Sequence, residues 1–271
     1  MHSLQVPRAP YGEDDLTLGE VLHLEDHGGD VFVAPVTYEN GWRLYGGQVA
    51  AQALLAAGRT VDPARHPHSL HAYFLRMGTP SLPVELTVER DRDGRSFSAR
   101  RVTARQKGEV VLTASVSFTA PDRRAPDDEQ VLVMPATEPP GSVVRPLVLM
   151  EFEQSVPSQR HPLYSYPTRH WLRCTADLPG DALTDAAVLT YLSDLCTGHD
   201  SLSTSADRSQ ATLDHAVWFH RPVSPTGWLL VDLATRGVSA GRGLYTGDVW
   251  DLQGRLVASL AQEALYREKP A

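Results

Sequence analysis

Near its C-terminus the chain alternates. In LVASLAQEALYR (Leu256–Arg267), Leu256, Ala258, Leu260, Ala264 and Tyr266 are apolar, whereas Ser259, Glu263 and Arg267 on the opposite phase are polar. A side-chain period of two predicts a strand whose first set faces a core. Gln262 belongs to that set. An unpaired buried amide costs about 1–3 kcal/mol in mutational data, so position 262 needs either a structural partner or a chemical role.

Three further strands are predicted upstream, at Ala211–Arg221, Gly227–Arg236 and Gly243–Asp251. They follow a helix at Leu183–Leu195, with an apolar stripe of Val188, Tyr191, Leu192 and Leu195 and an N-cap expected at Thr184. The first half has the same order. An Ala-rich helix at Gly46–Thr60, stopping at Gly58, precedes strands at His68–Arg76, Pro83–Arg90, Ser96–Arg105 and Glu109–Phe118. Arg76 and Arg221 lie 145 positions apart (221 − 76), and Gly108 and Gly254 lie 146 apart (254 − 108), so one architecture is used twice. The expected class is α+β, each half an antiparallel sheet wrapped around one long apolar helix, with Val31–Val36 or His161–Ala176 completing each sheet. Five prolines and the acidic run Asp127-Asp128-Glu129 mark Ala120–Gly141 as linker. The expected division is 1–120, a Pro-rich linker at 121–150, and 151–271.

Composition narrows the setting. With 42% hydrophobic and 21% charged residues, the 271-residue chain has the make-up of a soluble globular protein. A net charge of −8 argues against nucleic-acid affinity. The opening MHSLQVPRAPYGEDD lacks the apolar core of a secretion signal, and VAAQALLAA (Val49–Ala57) falls short of the ~18 apolar residues a membrane span requires. Cys174 and Cys196 cannot form a disulfide framework or a four-ligand zinc site. A cytoplasmic protein without a metal or redox cofactor is expected.

Several motifs offer chemistry and most lose it on inspection. Gly237-Val238-Ser239-Ala240-Gly241 matches a hydrolase nucleophile elbow, but it leads into another strand, and no histidine follows His220. It is expected to be a hairpin turn. Histidine pairs 68/71 and 215/220 have odd spacings that point to opposite strand faces rather than a metal site. The six arginines of Arg90–Arg105 suit a pyrophosphate, yet Asp91 and Asp93 interleave with them, which favours a solvated hairpin. Gly46-Gly47, opening a helix, places N–H groups at a positive dipole end where a phosphate or carbonyl could dock. Asp194 and His199 have a spacing compatible with a hydratase acid/base pair.

Three polar residues stand on otherwise apolar surfaces, all in the second half. They are Gln262, Asp194 in the last turn of its helix, and Thr212 at the start of the following strand. The unfavourable end of the helix dipole would raise the Asp194 pKa and make it a better base. Under the offsets above, Gln262 and Thr212 correspond to Val116 and Pro67, neither of which hydrogen-bonds through its side chain. A requirement of the fold would appear in both halves.

The chain resembles the type II acyl-CoA thioesterases over roughly Leu16 to Arg267. The matching stretches are RLYGGQVAAQAL, HSLHAYFLR, DGRSFSARRV, YLSDL, LDHAVWFHRP and LVASLAQEALYR. The resemblance implies two tandem hotdog domains. It also implies hydrolysis of acyl-CoA to free acid and CoA by a water held by Asp194, Thr212 and Gln262. The start of the first helix, at Gly46, Gly47 and Gln48, is expected against the substrate. Fused halves that imitate a dimer, with exposed sheet edges, point to further pairing as a homo-oligomer. Two rival expectations are an enoyl-CoA hydratase using Asp194 and His199, and a non-catalytic acyl-CoA binding module.

Overall fold

A computed structural model describes residues 16–37, 43–121, 129–141, 145–147, 151–157, 168–194 and 208–268. In chain order the elements are α1 (Leu18–Val21), β1 (Glu25–Asp26), β2 (Val31–Ala34), α2 (Gly46–Gly58), β3 (His66–Phe74), β4 (Val84–Asp93), β5 (Phe97–Gln106) and β6 (Glu109–Thr119). There follow β7 (Arg145–Leu147), β8 (Phe152–Ser155), β9 (Arg169–Cys174), α3 (Ala182–Ser193), β10 (Arg208–Phe219), β11 (Leu229–Ser239), β12 (Arg242–Asp251) and β13 (Leu256–Glu268). The thirteen described strands join one antiparallel sheet, in the order β1-β2-β4-β5-β6-β3-β10-β13-β12-β11-β9-β8-β7. Read outward from the central β3–β10 pair, the strands run β3, β6, β5, β4, β2, β1 on one side and β10, β13, β12, β11, β9, β8 on the other. The order is the same on both sides as far as β1 and β8, beyond which β7 has no counterpart.

The two long helices form the centre of the core. Residues Gly47–Gly58 of α2 are all buried, as are Ala186–Ser193 of α3. Alanine on every side of α2 lets it sit against both the sheet and α3. The helices are antiparallel and close. A Cβ added at Gly47 would lie 2.6 Å from the Tyr191 carbonyl, and one at Gly58 would overlap the Leu183 side chain, so glycine near each end of α2 permits the approach. The start of α2 is thereby set beside the end of α3.

Four local expectations are corrected. Asp181, not Thr184, caps α3, accepting from the Leu183 and Thr184 N–H groups. Leu256 does not share a face with Leu260. The β12–β13 register slips between the Val249↔Ala258 and Trp250↔Leu256 pairs, which leaves Val257 as the extra residue. Val257 enters the main core, whereas Leu256 packs with Trp171, Leu230, Trp250 and Met134 in a second cluster. The segment expected as linker contains a strand, β7, at 145–147. Its residues 129–141 are also tied down by side chains: Gln130 bonds Gly254 O and Leu256 N, and Trp171 Nε1 donates to Glu138 O. Lastly, Arg100 is not part of a solvated hairpin. It is 2% exposed and donates to Thr60 Oγ1, Thr60 O, Arg92 O, Ala99 O and Asp93 Oδ1.

The other arginines of that hairpin behave as expected of a solvated one. Arg90 pairs with Asp30, and Arg101 with Glu89 and Asp91, all at the surface. Ser239 pairs directly with Arg242, and Ala240 and Gly241 both have positive φ, so the GVSAG stretch ends in a two-residue hairpin turn. Among the described residues no helix is long and apolar enough to cross a membrane. No group of three or more His, Cys, Asp or Glu among them could hold a metal ion.

Candidate active site

Asp194 is the C-cap of α3, and it is buried. The antiparallel helix packing aims its carboxylate at the first turn of α2. There the Gly47 N–H donates to Oδ2 at 2.9 Å. From the other side, Thr212 Oγ1 donates to Oδ1 at 3.3 Å, and Gln262 Nε2 donates to Thr212 Oγ1 at 3.0 Å. Three groups far apart in sequence therefore gather at the carboxylate that caps α3, one each from α2, β10 and β13.

Local irregularity in β10 places Thr212. Its strand begins earlier than expected, at Arg208, so Thr212 is internal to it. The register against β13 slips between Thr212 and Asp214. Such a bulge re-aims the side chains beside it. On β13, Gln262 lies on the buried phase with Leu260 and Ala264 and is 0% exposed. The amide that alternation placed among Leu and Ala thus has a partner for its nitrogen; its Oε1 is buried without one.

Burial decides the acidity of Asp194. It pushes the carboxyl pKa up from 3.8 to about 6, against the contrary effects of Gln262, the Gly47 N–H and Thr212, in that order. The dipole of α3, which the sequence suggested as the cause, is opposed by the facing N-terminus of α2. The result is a carboxylate mostly ionised at neutral pH yet more basic than one in water.

Of the other residues singled out in the sequence, Gly46 is beside the carboxylate: a Cβ there would come within 2.7 Å of Asp194 Oδ2. The Gly47 N–H is engaged by Asp194 rather than free for a ligand. Gln48 is buried in the same turn. His199 and Cys196 lie outside the described residues. Sequence reasoning missed His215 and Ser193. His215 is 1% exposed, with Nε2 2.6 Å from Ser193 Oγ. The signal for His215 was the one that exposed Gln262, a polar residue on a strand's apolar phase.

Among the described residues the first half holds no equivalent set. His215 pairs with Gln262, and Gln262 with Tyr245. In the first half, Leu70 pairs with Val116 and Val116 with Arg100. These correspond at offsets of 145 (215 − 70), 146 (262 − 116) and 145 (245 − 100). Where the second half offers an amide and an imidazole, the first half has two aliphatic side chains and the fully engaged Arg100 guanidinium.

Comparison with known proteins agrees along the chain. Residues 34–119 match the model of the acyl-CoA thioesterase N-terminal domain, and residues 120–266 that of the acyl-CoA thioesterase C-terminal domain. The chain belongs to the type II acyl-CoA thioesterase family. It is 32% identical to human acyl-coenzyme A thioesterase 8, an alignment covering 92% of this chain and 88% of that protein. The acyl-CoA thioesterase II TesB2 of Mycobacterium marinum superposes with a TM-score of 0.77 at 35% identity, over 93% of this chain and 97% of that one. A protein of Alicyclobacillus acidocaldarius described as having a hot dog fold superposes with a TM-score of 0.74 at 23% identity, over 93% and 98%. That likeness concerns fold alone. The type II thioesterase is thus a hotdog-fold protein built on a large antiparallel sheet with few helices.

Proposed function

We propose that Asp194 is the general base of acyl-CoA hydrolysis, acting on a water that Thr212 and Gln262 orient. The enzyme is a thioester hydrolase of its family, converting acyl-CoA to free acid and CoA. Support for the residue roles comes from one observation above the others: polar groups from separate elements converge on a single buried carboxylate. Gln262 keeps one N–H beyond the bond to Thr212, and each Asp194 oxygen retains a lone pair beyond its bond from Thr212 or Gly47.

In the reaction, water loses a proton to Asp194 as its oxygen attacks the thioester carbonyl carbon. The tetrahedral adduct then collapses, the C–S bond breaks, and the proton held by Asp194 passes to the departing sulfur. A thiolate is a good leaving group, since free thiols ionise near 8.5, so the difficult step is the attack. General-base assistance supplies roughly 10²–10⁴-fold, and fixing the water in line adds to it. In this reading the substrate thioester lies beside the start of α2 at Gly46, Gly47 and Gln48, where the missing side chain at 46 lets the Asp194 carboxylate and the Phe74 ring close in.

Two tandem hotdog domains complete the reading, the first ending near residue 120 and the second taking in β7, which pairs with β8. The matching strand order on either side of β3–β10 supports it. The active site then belongs to the second domain, with one backbone N–H contributed by the first.

The pH profile tests the base. kcat/KM should fall as pH drops through about 6, because protonation of Asp194 removes the acceptor. Thiol release from an acyl-CoA, followed from acid to neutral pH, is the measurement. An acid limb at the ordinary carboxylate position, near 4, would count against a buried base.

A further inference from the structure

The two long helices begin differently. α3 is capped by its own N-cap residue: Asp181 accepts from the N–H of Leu183, two positions on, and from that of Thr184. At the N-cap of α2 stands Tyr45, whose side chain makes no such bond. The equivalent N–H, two positions on, belongs to Gly47, and its acceptor is Asp194 Oδ2 at the end of α3. The base assigned to the reaction thus caps α2 from another helix, and that bond depends on how closely the two helices approach.

Tyr45 turns its side chain to that approach. The ring folds back over Gly47, where an added Cβ would lie 2.7 Å from Tyr45 Cε1. It meets the Tyr191 ring edge-on, with 4.9 Å between centroids, and its hydroxyl donates to the Tyr191 carbonyl oxygen at 2.8 Å. That carbonyl lies in the last turn of α3, where helical carbonyls run out of donors in their own helix. The Tyr191 side chain is itself buried and stacked on Phe152, so the anchor is fixed. Two hydrogen bonds therefore tie the first turn of α2 to the end of α3, one from the Gly47 N–H and one from the Tyr45 hydroxyl.

We propose that Tyr45 is a positioning residue whose hydroxyl, anchored on the Tyr191 carbonyl, holds the first turn of α2 where the Gly47 N–H meets the Asp194 carboxylate. Without the hydroxyl the turn can draw back and the Gly47 bond lengthens. The ionised form of Asp194 then loses a donor that favours it, and its pKa rises further. The other described groups that act on its charge, the Gln262 amide of β13 and the Thr212 hydroxyl of β10, carry no charge. His215 of β10, bonded to Ser193 beside Asp194, is kept neutral by burial, which depresses its pKa to about 4. A displaced acid limb therefore reports on the Gly47 bond.

This inference rests on Asp194 as the base, and its test reads the geometry separately from turnover. In Tyr45→Phe, which keeps the ring and loses the hydroxyl, kcat should fall about 3- to 10-fold and the acid limb should move to higher pH. Tyr45→4-aminophenylalanine, which carries an N–H donor where the hydroxyl stood, should bring back the limb and most of kcat. Glycine labelled with ¹³C at the carbonyl and with ¹⁵N selects the amides of Gly29 and Gly47, the second residues of the chain's two Gly-Gly pairs. The Gly47 proton resonance, the one of the two that moves in Asp194→Asn, should titrate near pH 6 in the parent. In Tyr45→Phe it should titrate at higher pH and with a smaller amplitude. A merely structural role would lower the melting temperature and kcat and leave both the limb and the Gly47 titration in place. That result, parental kinetics in Tyr45→Phe, or no recovery with 4-aminophenylalanine would overturn the inference. Failure of both variants to fold would overturn it too, by assigning Tyr45 to the fold; should Tyr45→Phe alone fail, the limb of the second variant decides. If Asp194→Asn retains turnover, the base assignment fails instead, and the Gly47 titration still shows whether Tyr45 sets the bond.

Discussion

Asp194→Asn is expected to lower kcat for acyl-CoA hydrolysis by roughly 10²–10⁴-fold while the protein remains folded. Asparagine keeps an oxygen for the Gly47 N–H but cannot take a proton from water. Stability should move in the opposite direction from activity. Because the folded pKa, about 6, lies above the ordinary 3.8, the native state loses stability as pH rises through that window, and the whole cost is present at neutral pH. A carboxyl group raised that far costs the native state on the order of 3 kcal/mol once ionised. The variant should therefore melt no lower than the parent at neutral pH. Thiol release across an acyl-CoA panel, with thermal melts on the same samples, checks both parts. Near-parental turnover in a folded Asp194→Asn protein would remove the residue from the chemistry.

Gly46→Ala carries the second large effect. Its new methyl would lie 2.7 Å from Asp194 Oδ2 and 3.2 Å from the Phe74 ring, so the carboxylate has to move. Moving it strains the bond from Gly47 and spoils the line between base, water and carbonyl. A displacement near 1 Å can cost about 10²-fold, and a loss of roughly 10- to 100-fold in kcat is expected on that scale. The fold should tolerate the change better than the site does, since alanine is a stronger helix former than glycine by about 1 kcal/mol. Gly47 would be a poorer probe. There the methyl meets the Tyr191 backbone carbonyl at 2.6 Å, and a folding defect would be mixed with the kinetic one. Steady-state kinetics of Gly46→Ala beside its melting curve separates the two.

Much of this architecture was legible from periodicity. The long strands appear within a few residues of their expected bounds, and both helices end close to where their stripes run out. Boundaries failed where a side chain intervened, as with Asp181 capping α3, and where a bulge broke the period of two, as at Val257. Neither leaves a mark in the apolar pattern. Arg100 was hidden for a related reason: a charge in a strand counts as outward unless its partners are known, and they come from α2's end and the neighbouring turn.

At the site, the alternation rule exposed Gln262, and applied to β10 in the same way it would have exposed His215. Asp194 and Thr212 were visible as polar residues at the edges of apolar elements. Periodicity could not give their meeting, which only the family resemblance implied. It depends on α2 and α3 lying antiparallel at glycine-limited distance, which brings the Gly47 N–H to a carboxylate 147 positions away. The cause of the raised Asp194 pKa was also misread, because burial is a property of the assembled core and not of the helix that carries the residue.

Direct attack by water is the claim on which the rest depends, and one turnover in H₂¹⁸O tests it. With enzyme in excess over acyl-CoA, the free acid released in that first turnover should carry one ¹⁸O atom, and Asp194 should carry none. Unlabelled acid from the first turnover, with ¹⁸O appearing in the Asp194 carboxylate, would mean that the side chain itself had attacked the thioester and would contradict the account.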